Sequence, residues 1–281
     1  MLNANIENDC CELCGHRIVA GFDELQHPQF ENTKIARCCG LQRSLPYPTD
    51  KQLKNFYGTL YNSTYKRSFA EAIPDFVLQR AKIQHQWINQ HEQRHKLDIA
   101  EAGCGWGELL LTFKEQANSL HAFELDPEAV TFIQDRAAKE GIEKFVTVSN
   151  EALENSGSRA KYDLVLSSHS LEHISNPLAV LQRWHSMLRE NGLLFVEVPR
   201  EDPVPLNWGV SATQPYFAGH LTFFNQSSLV SILKKADFKI LAVESDLGPM
   251  TPVLMQVALG PTYDGGARLI RVLAQKAKQQ L

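Results

Sequence analysis

Three stretches of this chain combine residue types and spacings that could do chemistry. The first, SHSLEHISNP at 168–177, sets His169, Glu172 and His173 in the pattern H-x-x-E-H. Inside one continuous helix, with an acidic ligand from a distant helix, such a set holds a hydrolytic metal ion. Directly after a strand, the same letters close a ligand-binding edge instead. The second stretch, EAGCGWG at 101–107, places Gly103, Gly105 and Gly107 behind the acid Glu101. Glycines at that spacing let a chain turn tightly and let a ligand approach bare backbone. The third is a cluster of thiols: of six cysteines, Cys10, Cys11, Cys14, Cys38 and Cys39 lie near the N-terminus and only Cys104 stands apart. In a reducing compartment such clustering points to a metal before it points to disulfides.

These residues need a scaffold, and the rest of the chain describes one. The 281 residues carry a net charge of −4 with no basic block, which gives no electrostatic reason to expect nucleic acid or an anionic membrane as partner. The start, MLNANIENDCCELC, lacks the pattern of a signal peptide, and no apolar run approaches the length of a membrane span, so a soluble cytoplasmic protein is expected. Residues 1–45 read as a Cys-rich, zinc-ribbon-like module. Residues 46–95 read as a helical connector or lid, with Phe56, Tyr57, Tyr61, Tyr65, Phe76, Val77, Ile83 and Trp87 at helical spacing. From 96 to 262 short apolar runs alternate with amphipathic segments: LDIAEAG, LHAFELD, KFVTVSN, YDLVLSS and GLLFVEVP are the strands. That alternation predicts an α/β domain with a parallel sheet covered by helices on both faces. FKILAVESD (238–246) and PVLMQVALG (252–260) predict a closing antiparallel pair, and 263–281 a basic, Gln-rich C-terminal helix. Oligomeric state is not legible.

With strands assigned, the motifs can be weighed. The second strand ends at Glu124, about twenty residues beyond the glycine turn, where a doubly wound fold places a carboxylate for ribose hydroxyls. The H-x-x-E-H stretch follows YDLVLSS, so His169 falls at the carboxyl end of a strand, which disfavours the metallohydrolase. The turn E-x-G-x-G-x-G also differs from the G-x-G-x-x-G of a dinucleotide site, which disfavours an NAD-type oxidoreductase.

Here the chain resembles the class I S-adenosylmethionine-dependent methyltransferases, over roughly residues 97 to 260. The resemblance rests on Glu101 to Gly107, Glu124-Leu125-Asp126-Pro127, Ser149 to Leu153, Tyr162 to Val165 running into His169 to His173, and Gly192 to Pro199. It implies a Rossmann-like seven-stranded sheet. It also implies that Glu101, Gly103, Cys104, Gly105, Gly107, Glu124, Leu125, Asn150, Glu151, Ser168 and His169 line the cofactor pocket. Glu124 would hold the ribose diol and Leu125 would pack on the adenine. Asn150 stands where the family frequently has Asp, and its amide can still hydrogen bond there.

Cys11-Glu12-Leu13-Cys14-Gly15 resembles the zinc knuckle that opens some sugar-modifying and natural-product methyltransferases. In their second pair, C-x-x-C-G-L, this chain has Ala36-Arg37-Cys38-Cys39-Gly40-Leu41, so Cys39 matches and Ala36 replaces a thiol. Cys11, Cys14, Cys38 and Cys39 are the expected zinc ligands, with Cys10, His16 and His27 as other sources of the fourth. Residues 214–224, QPYFAGHLTFF, resemble the His-rich acceptor segment of deoxysugar methyltransferases, but Gly219 replaces their acid. Methylation on oxygen, nitrogen or carbon therefore stays open. The expected reaction is methyl transfer to a small-molecule or glycan-precursor acceptor, with His220 as base, His169 as pocket-lining or orienting group, and Tyr216 as a further candidate. The competing reading from another class is a cofactor-binding module without catalysis.

Overall fold

The computed structural model describes residues 10–16, 25–26, 30, 33–56, 69, 72–201, 219–245 and 269–277. Tyr216, His27 and the strand expected at 252–260 lie outside them. Among the described residues two sheets form, one of four strands and one of seven.

The large sheet begins with β4, Leu97–Ala102, and continues with β5 (Ala117–Phe123), β6 (Val146–Ser149), β7 (Tyr162–Ser168) and β8 (Leu188–Pro199). All neighbouring pairs among these five are parallel. Parallel pairing needs crossovers, and helices with side-chain caps supply two of them, from β5 to β6 and from β7 to β8, while a third such helix leads on from β8 to the closing strands. The connector helix α2, Asp75–Asn89, leads into β4 after the short α1, Asp50–Asn55. Helix α3, Pro127–Lys139, starts where the Asp126 carboxylate accepts the Glu128 amide and Pro127 fills the first position. In the same way Asn176 caps α4, Pro177–Met187. Asn225 and Ser228 form a reciprocal capping box for α5, Gln226–Lys235.

The sheet is closed by β10, Phe238–Ser245, and β11, Leu269–Lys276, giving the order β10-β11-β8-β7-β4-β5-β6. β11 is antiparallel to both β8 and β10. Residues 269–276 were expected within a C-terminal helix, and this is a correction: the strand carries the sheet past residue 262. The Lys- and Gln-rich composition of the tail suggested a solvated helix. LIRVLA instead slots between two strands with Leu269, Ile270, Val272, Leu273 and Ala274 all buried, an environment that favours a continuous apolar run as strand. Between the strands LDIAEAG and LHAFELD, where the alternation predicts an amphipathic segment, LLLTFKEQ forms only a single 3-10 turn at Leu110–Phe113.

One core lies on each face of this sheet. Trp184, Leu181, Val196, Leu229 and Ile232 pack on one side, and Ile88, Ile99, Phe113, Leu120, Ile133 and Phe195 on the other. Chain order reverses between β4 and β7, so the carboxyl ends of β4, β5 and β7 border a crevice, the usual ligand edge of an open α/β sheet.

The small sheet has the order β1-β2-β3-β9, with β1 Leu25–Gln26, β2 Lys34–Cys38, β3 Leu41–Leu45 and β9 Thr222–Phe223. Its last strand belongs to the segment after His220. The N-terminal module is thereby hydrogen bonded to the chain that leaves the crevice, and the Ser44 amide donates to the Leu221 carbonyl as well.

Candidate active site at the carboxyl edge

Glycine geometry shapes the mouth of the crevice. Gly103, Gly105 and Gly107 have φ of 68°, 57° and 70°, a region that costs other L-residues about 1–2 kcal/mol. At Gly103 a Cβ would also stand 2.8 Å from Ser170 Oγ, so the turn after β4 lies directly against the turn after β7. The Glu124 carboxylate at the end of β5 holds the loop: Oε2 accepts the Gly105 amide at 2.8 Å, and Oε1 accepts the amides of Leu125 and Asp126 at 2.8 and 3.1 Å. The Asn150 amide group donates to the carbonyls of Glu124 and Leu125, fixing the ends of β5 and β6 together. Leu125 is 69% exposed, an apolar side chain left uncovered beside this edge. Glu151 is half-buried in the loop after β6, whereas Cys104 is buried and its thiol is pushed up by burial and by Glu101. Glu101 accepts the Leu110 amide at 2.9 Å, and burial, with Glu108, raises its carboxyl well above the usual range.

Behind β7 the crevice floor is polar. Ser168 Oγ accepts a hydrogen bond from Gln84 of α2 at 2.8 Å, and Gln84 also donates to Glu197 Oε1 of β8 at 2.6 Å. Glu197 is fully buried, and Arg271 of β11 lies 2.9 Å from its other oxygen. Burial opposes ionisation of Glu197, but His169 and Arg271 outweigh it and hold the carboxyl below its ordinary range.

His169 sits at φ 53°, in the left-handed turn that ends β7, and Leu171–His173 forms one 3-10 turn. The two histidines therefore do not share a continuous helix. They flank Glu172, whose Oε1 lies 3.6 Å from His169 Nδ1, 3.9 Å from His173 Nε2 and 3.8 Å from His220 Nε2. Glu172 is 1% exposed, and neither carboxylate oxygen makes a hydrogen bond. Burial pushes its carboxyl up to about 8, and burial pushes His220 down to about 3. Burial, then the Arg80 guanidinium, holds His169 below its ordinary value. His173 Nδ1 lies 3.0 Å from the Gly219 carbonyl, and His220 Nδ1 lies 2.9 Å from Glu201 Oε1.

A second cluster lies in the N-terminal module. The sulfurs of Cys11, Cys14, Cys38 and Cys39 all lie within 4.8 Å of one another, with Cys14 to Cys38 at 3.6 Å and Cys38 to Cys39 at 3.8 Å. Four thiolates about 2.3 Å from a tetrahedral zinc stand roughly 3.8 Å apart, so the donor set fits the ion. Gly15 and Gly40, both at positive φ, turn the two loops, and Cys39 shares that conformation at φ 53°. The His16 backbone amide, followed by neighbouring side chains, draws the Cys14 thiol down to about 6.

The sequence-predicted residues thus fall into three places. Glu101, the three glycines, Cys104, Glu124, Leu125, Asn150 and Glu151 border the mouth of the crevice; Ser168, His169 and His220 border its floor with Glu172 and His173; the four thiols stand in the small module. Sequence reasoning did not single out Ser170, Gln84, Glu197, Glu201 or Arg271. A signal existed for two of them: Glu197 and Arg271 are lone charges inside otherwise apolar strand runs, the pattern of a buried ion pair. Gln84, buried on α2, gave none.

Comparison with known proteins adds family and fold. A family model described as a methyltransferase domain matches residues 63–243. The ubiquinone biosynthesis O-methyltransferase of Colwellia psychrerythraea is 24% identical over 123 residues, covering 43% of this chain and 49% of that protein. The chain thus spans about half the length of this curated relative. The 1,6-didemethyltoxoflavin-N1-methyltransferase of Burkholderia thailandensis, solved with S-adenosylhomocysteine, shares the fold with a TM-score of 0.57 at 18% identity, over 88% of this chain and 97% of that one. The cyclase SpnF shares it with a TM-score of 0.61 at 15% identity, over 83% of this chain and 98% of that one.

Proposed function

Because the chain belongs to the methyltransferase-domain family, we propose that it transfers the methyl group of S-adenosylmethionine to a hydroxyl of a small-molecule acceptor bound in the crevice. The observation that carries this reading is the edge built by Glu124 and the alternating glycines, where a carboxylate at the end of β5 holds the glycine turn after β4. Glu124 would take the ribose hydroxyls, Leu125 and Asn150 the adenine side, and Glu101 the cationic amino acid end. The relatives' name supports oxygen as nucleophile. A sugar hydroxyl falls within that class.

In the reaction the acceptor oxygen attacks the methyl carbon in line with the carbon–sulfur bond. When bound, S-adenosylmethionine would supply a sulfonium-activated methyl group, whose carbon–sulfur electron pair would stay with sulfur in the S-adenosylhomocysteine released. Most of the acceleration comes from holding donor and acceptor in line. The hydroxyl proton goes to an imidazole on the crevice floor. Exposure supports His169 for that role over His220: the His169 side chain is 25% exposed and that of His220 is 6% exposed. Tyr216 stays a candidate from sequence alone. The four thiols would hold one structural zinc ion, which fastens the turns at Gly15 and Gly40 and has no part in the transfer.

Calorimetric titration with S-adenosylhomocysteine and, separately, with NAD tests the cofactor assignment. Binding of the first alone is expected. Binding of NAD alone, or of neither, would overturn it.

A further inference from the structure

His169 stands in a strained turn between two buried carboxylates. At φ 53° its backbone lies in the left-handed region, which costs a residue with a side chain about 1–2 kcal/mol. Its own amide holds that conformation by donating to the Glu197 carbonyl at 2.9 Å. The turn aims the ring so that Nε2 lies 3.7 Å from Glu197 Oε1 and Nδ1 lies 3.6 Å from Glu172 Oε1. Nε2 is the nitrogen that is wholly enclosed, whereas the side chain as a whole is 25% exposed. Nδ1 is therefore the nitrogen that an acceptor can reach.

The two carboxylates differ in what holds them. Neither oxygen of Glu172 is hydrogen bonded, and among the described residues only imidazoles stand within ion-pair distance of it. A buried carboxyl so placed keeps its proton at neutrality, in line with its rise to about 8. Glu197 is the reverse. Its Oε1 accepts from Gln84 at 2.6 Å, Arg271 Nε lies 2.9 Å from its Oε2, and Arg271 is its direct partner across the β8–β11 pair. These groups keep Glu197 ionised although it is fully buried. An ionised carboxylate has about four lone-pair sites, so Oε1 still has room for a proton on His169 Nε2. A separation of 3.7 Å is longer than a hydrogen bond, and such contacts at catalytic groups often tighten when substrate binds.

A buried ion pair is a weak source of stability, because apolar residues of similar size often serve as well. A pair set against a strained histidine at the ligand edge has a second use. We propose that Glu197 is the positioning residue of His169: it accepts the Nε2 proton, which leaves the lone pair on Nδ1 facing the crevice, and it balances the imidazolium that forms there. Gln84 and Arg271 keep Glu197 in place, and Gln84 also ties it to Ser168 at the end of β7. The inference deepens the methyl-transfer reading and rests on it for its purpose. As the acceptor oxygen takes the methyl group, its O–H bond breaks and an N–H bond forms at Nδ1; the proton then passes to water through the exposed side of the ring. The new positive charge faces Glu197 and Glu172 and is opposed by Arg80 of α2.

Nitrogen-15 spectra of histidine-labelled full-length protein at neutral pH read the tautomer of each ring, and His169→Gln identifies the His169 signals. The wild-type ring is expected to carry its proton on Nε2. Glu197→Gln removes the charge and keeps the shape. The double variant Glu197→Leu with Arg271→Met removes both members of the pair, so it strands neither and keeps the test open where the single variant does not fold. Each should turn the single tautomer into a mixture, with circular dichroism melting as the check on folding. A wild-type ring protonated on Nδ1, or a tautomer unchanged in both variants, would overturn the proposal. Binding of S-adenosylhomocysteine is scored separately: its absence sinks the methyl-transfer reading and leaves the tautomer result standing.

Discussion

Replacing Glu124 by alanine gives the sharpest test of the cofactor edge. An ionised carboxylate offers about four lone-pair sites, and three are already used by the amides of Gly105, Leu125 and Asp126. One remains, so a ribose diol gains one full charged hydrogen bond and shares a second site at most. A charged hydrogen bond is typically worth about 1.5–3 kcal/mol, and about 1.4 kcal/mol corresponds to tenfold in affinity. Glu124→Ala should therefore weaken S-adenosylhomocysteine binding by about tenfold to a hundredfold in calorimetric titration. Melting of the unliganded protein is measured alongside, because the same carboxylate also holds three loop amides, that of Gly105 in a buried hydrogen bond. Unchanged affinity would refute the assignment of Glu124 to the ribose. A loss of affinity matched by a large fall in unliganded stability would mean that the carboxylate serves the fold of the loop instead.

Three further expectations concern stability and the small module. Metal analysis of protein purified without chelator should find about one zinc per chain, and Cys14→Ser should abolish it while far-ultraviolet circular dichroism of the large sheet persists. Arg271→Met strands the buried Glu197 carboxylate and should cost about 3–5 kcal/mol in urea denaturation. Burial lowers His121 from 6.5 to about 4, so the unfolded chain binds more protons than the folded one between those values. Its contribution to stability is fully present above pH 6.5 and is lost as pH falls toward 4; urea midpoints at pH 7 and pH 5 should differ more for the wild type than for His121→Gln.

The sheet was legible because its strands are short apolar runs between amphipathic helices, and the glycines and Glu124 mark one end of it. The tail was not. β11 is a central strand formed by the last described residues, and its partners β8 and β10 lie about 80 and 30 positions earlier in the chain. No local period distinguishes such a strand from a helix when its polar residues include a buried Arg271. The site shows the same division. His169, Glu172 and His173 stood out by spacing, and the sequence order alone argued against a metal because the helix that H-x-x-E-H demands was missing. What spacing could not show is that a residue 47 positions beyond His173 supplies a third imidazole, His220, within 4.8 Å of Glu172 and His173. The Thr222 hydroxyl donates to the Ile174 carbonyl, the Leu221 amide donates to the Glu172 carbonyl, and β9 pairs with β3 of the thiol module. His220 is therefore held in place from two sides, by the turn that carries Glu172 and by the sheet that carries Cys38. The thiol module thus helps to set the position of a residue on the crevice floor, which is a physical reason for a cysteine knuckle to precede this domain.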